Sequence, residues 1–571
     1  MRLKAPKFPV KQNAADNQVG LVLSVVIGAL VGLVVVAFIL LTGRLAARMY
    51  PAGEAAWRRA LVPALGSLFT GYLLWRFFPE ARGSGIPQTK FAIYLTDGYI
   101  SLKTVLGKFF CCSASLASGI ALGREGPSVQ IGAGIASVLG RRFGLHGQNL
   151  KALIPVGSSA ALAAAFNTPI AAVLFSLEEV LGDLHAPVLG SVVLSSATSW
   201  MVLHLILGDE PLFHVPPYHL VDPAEFLVYA VLGLIVGLGS VAFVKLLLWE
   251  RVWFKSLPKS TVWLQPVAGG LLVGVMGLFM PEVLGVGYDY VEKVLGGDML
   301  LRTVVILAIL KIVATASCYA SGNAGGIFGP SLFMGATMGG AVGTVAHYLF
   351  PAWTATPGAY ALVGMGAAFA GIVRTPLTSV IMIFEMTRDY SIIVPLMIAN
   401  LISFFVSNRL QRQPIYDALA HQEGVSLPGD EMREHLSRLL VSDIMHQDPP
   451  LPAYATLDSI KDRLAEPNRR AWLVAMDGTL WGLMTRAQAA TANRAQLVSD
   501  IVKPGSLFPY VHPDQPLSLA LEKMGEADID VLPVVSRADA RKLLGVVTLP
   551  ETLDAYGLHE PGFEMSRDMK S

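Results

Sequence analysis

The chain has 571 residues, 53% of them hydrophobic and 15% charged, with 43 basic side chains against 42 acidic ones. Soluble domains carry roughly 25% charged residues, so this composition argues against an ordinary soluble enzyme. The near-neutral total also hides an asymmetry: residues 421–571 hold 15 basic and 22 acidic residues, and the first 420 hold 28 and 20.

Residues 21–41 (LVLSVVIGALVGLVVVAFILL) carry no charge and are long enough to cross about 30 Å of hydrocarbon as a helix. Arg2, Lys4, Lys7 and Lys11 precede this run. It is longer than the h-region of a signal peptide, so it reads as a retained helix with a cytoplasmic N-terminus. Apolar stretches recur near 61–75, 188–207, 226–248, 303–316 and 391–407. Within 301–400 the charged residues are Arg302, Lys311, Arg374, Glu385, Arg388 and Asp389. Many apolar segments are short and broken by Gly and Pro. Broken backbone at membrane depth is tolerated where it is buried in protein or lines a cavity, which points to a pathway for a polar solute. Cys111, Cys112 and Cys318 lie in apolar surroundings without metal-ligand spacing. Neither a disulfide framework nor a metal site is expected, and no basic block suggests nucleic acid.

The chain repeats itself at a shift of 202–203 residues. FFPEARGSG (77–85) matches FMPEVLGVG (279–287), and Lys108 falls on Lys311. GREGPSVQIGA (123–133) aligns with GIFGPSLFMGA (326–336), and VGSSAALAAAFNTPI (156–170) with VGMGAAFAGIVRTPL (363–377). Beyond them Glu178 falls on Glu385. Transporters often hold their solute between two such repeats, at discontinuous helices. The residues show the duplication; they do not show its orientation.

Three segments within the repeats place glycines before a proline and a helix-compatible run. They are Gly83-Ser84-Gly85-Ile86-Pro87, Gly123-Arg124-Glu125-Gly126-Pro127 and Gly326-Ile327-Phe328-Gly329-Pro330. Proline suits the first turn of a helix, and glycine admits close approach of the backbone to a ligand. Helix N-termini present unpaired N–H groups and partial positive charge to an anion. A single such motif would read as a kink; three at matching points of a repeat read as a site. Glu125 is a carboxylate at the start of an intramembrane helix. It either caps its own helix or acts as a gate that occupies the solute's place and accepts a proton.

These three motifs, in this order and spacing, resemble the CLC family of chloride channels and chloride/proton exchangers over roughly residues 20–420. The resemblance implies an all-α polytopic membrane body of about eighteen helices, many not fully spanning, arranged as two inverted repeats. It also implies a homodimer with one ion pathway per subunit. It assigns chloride, or another halide, to the Ser84 hydroxyl, the backbone N–H groups of Ile327 and Phe328, and the Tyr416 hydroxyl. Glu125 becomes the gate and external proton-transfer group. In LFSLEEVLGD (174–183), Glu179 matches the internal proton-transfer glutamate of exchangers. Glu178, paired in the repeat with Glu385, reads as structural.

In the tail, LVSDIM (440–445) recurs as LVSDIV (497–502), and WGLMTRAQ (481–488) is answered by LGVVTLPE (544–551). Alternating helical and short strand patterns and these signatures resemble a tandem CBS pair, a cytoplasmic α/β module. Such pairs often bind an adenosine nucleotide, which would place Thr485, Thr548 and Glu551 at ligand sites; a dimerising scaffold is the alternative. The expected domains are a cytoplasmic N-terminal segment at 1–20 and a transmembrane body at 21–420, with repeats near 55–210 and 258–410. A linker at 421–438, CBS domains at 439–495 and 496–560, and a tail at 561–571 follow.

The expected function is chloride/proton antiport in the cell's inner membrane, with no required cofactor and no catalytic residue. A passive voltage- or pH-gated chloride channel is the main alternative, and a CBS-containing divalent-cation transporter a remote one.

Overall fold

A computed structural model describes residues 14–51, 53, 55–184, 187–209, 212–213, 221–425, 439–466, 469–502 and 508–556. The segments expected at 1–20 and 421–438 lie largely outside the described residues, and the tail at 561–571 lies wholly outside them. Two compact units result, one spanning 13–427 and one holding the chain from 428 onward.

The first unit is helical. Its first half contains α1 (Ala14–Met49), α2 (Ala56–Arg76), α3 (Ile86–Tyr94), α4 (Leu102–Ala117), α5 (Glu125–Arg142), α6 (Gln148–Lys151), α7 (Leu153–Phe166), α8 (Pro169–Phe175) and α9 (Leu189–Leu207). The long α10 (Glu225–Ser256) leads into α11 (Gln265–Phe279), α12 (Tyr288–Gly296), α13 (Leu301–Ala320), α14 (Phe328–Leu349), α15 (Pro357–Ile372), α16 (Pro376–Thr387), α17 (Ile393–Leu410) and α18 (Ile415–Gln422). Six helical stretches among the described residues are long and apolar enough to cross a membrane. The nine residues of α3, seven of α8 and eight of α18 are too short at 1.5 Å per residue. Leu65, Phe69, Leu227 and Phe279 are exposed, as side chains facing lipid should be.

The sequence repeat is a structural repeat, and small residues explain its tight interior. Every residue of α7 is buried, as is nearly every residue of α15; a helix apolar all round belongs in a core. α7 packs on α5, and α15 on α14. At the first crossing a Cβ on Gly132 would lie 2.2 Å from the Gly157 carbonyl oxygen, and the reverse distance is also 2.2 Å. At the second, Gly335 and Gly364 stand in the same reciprocal relation at 2.3 Å. These four glycines are the aligned positions of the two repeats.

Carboxylates join the halves. Glu178 Oε2 accepts from the Thr378 N–H at 2.9 Å and the Thr378 hydroxyl at 2.6 Å, at the start of α16. Its partner Glu385 accepts from the N–H groups of Ile170 at 2.9 Å and Ala171 at 2.7 Å, at the start of α8. Each acid therefore caps a broken helix of the other repeat, where negative charge is favourable.

The tail holds two small sheets. β1 (Leu451–Pro452) runs parallel to β2 (Ala471–Met476), which pairs antiparallel with β3 (Thr479–Thr485). β4 (Val531–Val535) pairs antiparallel with β5 (Leu543–Thr548). The two VSDI helical turns are exchanged between the halves. Val441 and Ser442 donate backbone bonds to Gln515 and Pro513, while Val498 and Ser499 donate to Ala455 and Ala453. Val498 consequently sits in one core with Leu451 and Trp472, and Val441 in another with Val511 and Val546.

Candidate ion pathway

Three loops meet inside the membrane body. In the first, Gly83 and Gly85 have φ of 89° and 106°, a region L-residues avoid, so the GSG sequence is what permits the turn into α3. Pro87 follows in the first turn of α3, where its missing N–H costs nothing. A Cβ on Gly85 would lie 2.3 Å from the Gly126 carbonyl oxygen, and one on Gly126 would lie 2.6 Å from that of Ser84. Glycine in both motifs is what lets the two backbones touch. The second and third motifs meet directly through an antiparallel bridge between Gly123 and Gly326.

Ser84 and Tyr416 are both completely buried, and neither hydroxyl has a hydrogen-bond partner among the described residues. Buried polar groups are nearly always satisfied, so these two donors are free to meet an acceptor, as are several other buried hydroxyls of the chain. Ile327 and Phe328 are buried at the N-terminus of α14, where the first N–H groups have no partner within the helix. Around Phe328 the rings of Phe369, Phe166 and Phe175 lie at centroid distances of 4.2, 4.7 and 5.4 Å. An anion reaching these N–H groups is therefore held in largely apolar surroundings, where each hydrogen bond counts for more.

Glu125 is fully buried and heads α5. It does not cap its own helix. Its Oε2 accepts from the Gly329 N–H on α14 at 3.2 Å, and its Oε1 accepts from the Tyr288 hydroxyl. The carboxylate thus occupies the helix terminus that would attract a free anion. Arg124 lies 4.0 Å from the carboxylate and 5.6 Å from the Tyr288 ring.

Tyr288 is absent from the sequence expectations, yet a signal for it was available. GVGYD (285–289) is the repeat partner of GSGIP (83–87), and one residue past the matched glycines lies Tyr288. Behind the two equivalent loops stand two buried lysines. Lys108 Nζ donates to the Gly83 carbonyl at 2.8 Å. Lys311 Nζ donates to those of Gly285 at 2.6 Å and Val283 at 3.1 Å. These lysines hold loop carbonyls in place.

Glu179 lies on a π-helical turn, Ser176–Leu181, that ends at Gly182 in the left-handed region. Wide turns of this kind are frequent at functional sites. Glu178 and Glu179 point to different partners: Glu178 to α16, and Glu179 to Lys90 of α3 at 2.9 Å. Another buried carboxylate, Glu225, is consumed structurally. It accepts from the hydroxyls of Tyr229 and Tyr360 and from the Ala355 N–H at 3.1, 2.8 and 2.9 Å.

In the tail, Thr485 closes a capping box with Gln488. Thr548 donates to Glu551 at 2.7 Å, and His446 Nδ1 lies 2.9 Å from the same Glu551 oxygen. The structure groups Thr548 with Glu551 and adds His446, whereas Thr485 belongs to the other sheet.

Comparisons with known proteins agree with this architecture. The family model described as voltage-gated chloride channel matches residues 66–408, and the CBS domain model matches 498–556. An H(+)/Cl(-) exchange transporter ClcA of Vibrio campbellii is 33% identical over 385 residues, which cover 66% of this chain and 82% of that protein. A chloride channel protein of Ralstonia nicotianae, provisionally named ClcB-like, is 34% identical over 63% of this chain and 85% of its own. The crystal structure of a slow cyanobacterial Cl-/H+ antiporter superposes with a TM-score of 0.65 at 28% identity, covering 71% of this chain and 97% of that one. A eukaryotic CLC transporter shares the fold, with a TM-score of 0.62 at 21% identity over 94% of this chain and 98% of that one. With broken helices meeting at a buried carboxylate and a family match over most of the membrane body, the chain belongs to the voltage-gated chloride channel family of integral membrane proteins.

Proposed function

We propose that the protein exchanges chloride for protons across the membrane. One observation carries this reading: the Glu125 carboxylate is seated on the Gly329 N–H at the α14 N-terminus, two buried hydroxyls, Ser84 and Tyr416, have no hydrogen-bond partner among the described residues, and a second acid, Glu179, lies on the π-helical turn. A halide held by Ser84, Tyr416 and the first N–H groups of α14 and a proton passing between the two acids would share this region. Glu125, seated on the Gly329 N–H, blocks the halide; protonated, it loses its electrostatic hold on the helix end and swings away. Glu179 loads the proton from the cytoplasmic side. The similarity to proteins named exchange transporters supports the same reading.

The test uses purified protein in liposomes with a chloride gradient. Wild type should drive protons uphill, and Glu179→Gln should abolish proton movement while chloride flux continues. Chloride flux without proton movement in wild type selects the passive channel, the reading that the Ralstonia relative's name favours. The proposed setting is a homodimer in the inner membrane, with its tail in the cytoplasm.

For the tail we infer an adenosine nucleotide near Thr548 and Glu551, whose carboxylate is able to take up ribose hydroxyls in place of the Thr548 hydroxyl. Calorimetry of the full-length protein with ATP, ADP and AMP tests this; absence of heat with all three leaves a scaffold.

A further inference from the structure

Lys90 joins three elements that the transport reading leaves separate. Its Nζ lies 2.9 Å from Glu179 Oε1 and 2.9 Å from Asp417 Oδ1. The three side chains are 12%, 8% and 23% exposed, so water screens them poorly. Lys90 stands on α3, whose first turn follows Ser84; Asp417 follows Tyr416 on α18; Glu179 lies on the π-helical turn. The cation thus connects Glu179 to α18, which carries Tyr416, and to α3, which begins two residues after Ser84.

We propose that Lys90 is a shared counter-ion that sets the pH at which Glu179 takes up its proton, with Asp417 receiving the lysine's charge once Glu179 is neutral. This rests on the exchange reading above. With Glu179 ionised, the trio carries two negative charges and one positive. When Glu179 is protonated, Lys90 and Asp417 remain as a neutral pair. No step leaves a buried lysine uncompensated, a state that is strongly destabilising. Without Lys90, two carboxylates would face one another and disfavour each other's ionisation.

Other titratable groups surround the turn, Asp183 among them, whose N–H donates to the Leu177 carbonyl at 3.0 Å. Facing the turn are Lys90 and Tyr94 on α3, the latter donating to the Leu181 carbonyl at 2.9 Å. From α18 come Tyr416 and Asp417, with Arg374 in electrostatic range of Asp417. Glu178, adjacent on the turn itself, is turned to Thr378. α7 and α8, which also pack on the turn, contain no titratable residue. Lys90 is a positioning residue, acting on the proton through Glu179.

The experiment measures coupled chloride and proton flux in liposomes at equal pH on both sides, stepped across the active range. Lys90→Met should move the midpoint of proton coupling up by about one pH unit or more, the scale of a charge removed from hydrogen-bond distance. Lys90→Arg should hold it near the wild-type value. Asp417→Asn should move the midpoint down, because Lys90 then serves Glu179 alone. An unchanged midpoint in Lys90→Met overturns the proposal. If that variant does not fold, an unchanged midpoint in Asp417→Asn overturns it equally. Failure of the exchange reading itself shows separately, as wild-type protein that moves no protons at any pH.

Discussion

Gly123 and Gly326 donate to one another's carbonyl oxygens, each bond measuring 2.7 Å. They are equivalent residues of the two repeats, and the bridge between them is antiparallel. Equivalent segments that pair in opposite directions are related by a local two-fold axis. The bridge therefore lies at the pseudo-two-fold axis, and residues at matching positions fall symmetrically about it. Lys108 on Gly83 and Lys311 on Gly285 are such a pair, and so are the glycine crossings.

Those crossings predict a position-specific stability loss. Gly132→Ala and Gly335→Ala place a methyl group 2.2–2.3 Å from a backbone carbonyl oxygen, which does not yield as a side chain would. Each should cost about 1–3 kcal/mol through overpacking. Gly43→Ala, with open space around it in α1, should be neutral or gain up to about 1 kcal/mol from helix propensity. Melting temperatures of the purified variants check this. Equal shifts at all three positions would show that the crossings are looser than described.

Tyr288 offers a test of the gate. If carboxylate and halide compete for one helix terminus, weakening the carboxylate's hold strengthens halide binding. Tyr288→Phe removes one hydrogen bond to a charged acceptor, worth about 1.5–3 kcal/mol. Chloride affinity measured by calorimetry should then rise about tenfold or more, with Glu125→Gln moving it the same way. Unchanged affinity in both variants would mean that the carboxylate and the anion occupy different places.

What the sequence revealed and what it concealed divide along physical lines. The filter motifs, the duplication and the buried acids were legible because glycine before proline and a charge in an apolar run are local signals. The partners were not. Glu125 meets Gly329 and Tyr288, more than 160 residues away in sequence, and Lys90 meets Asp417 across 327 residues. Only the repeat itself held such information: extended by one residue, GSGI against GVGY would have flagged Tyr288. The π-helical turn carrying Glu179 has no comparable sequence cue, since a wide turn is decided by the packing around it. The pairing of Lys108 with Lys311 was visible in the repeat, but their acceptors, the carbonyls of Gly83, Val283 and Gly285, are set by the fold.

The exchanged turns of the tail predict that it cannot be divided at residue 495. Val441 packs with Val511 and Val546 in the second half, and Val498 with Leu451 in the first. A fragment covering 439–495 lacks the Val498 turn that closes its own core, and it exposes Val441. It should fail to give cooperative unfolding, whereas 439–556 should unfold in one transition. Circular dichroism during heating distinguishes the two outcomes. A cooperative transition in the short fragment would show that the exchange is dispensable.

The reciprocal acids allow the sharpest comparison, because they use their oxygens differently. Glu178 receives both bonds from Thr378 on one oxygen, Oε2. Glutamine at 178 keeps a carbonyl oxygen for both of those bonds, so neither Thr378 donor is left unmet. Loss of favourable charge at a helix N-terminus costs about 0.3–1 kcal/mol. Glu385 divides its bonds, Oε1 to Ile170 and Oε2 to Ala171. Glutamine at 385 satisfies one of these N–H groups and turns its own NH2 toward the other, setting donor against donor. An unmet donor adds about 1–3 kcal/mol to the lost charge. Glu385→Gln should therefore lower the melting temperature clearly more than Glu178→Gln, although the two residues are equivalents in the repeat. If the two shifts are equal, charge alone accounts for the interaction and the division of oxygens does not matter. If Glu178→Gln proves the more damaging, Glu178 does more than hold Thr378.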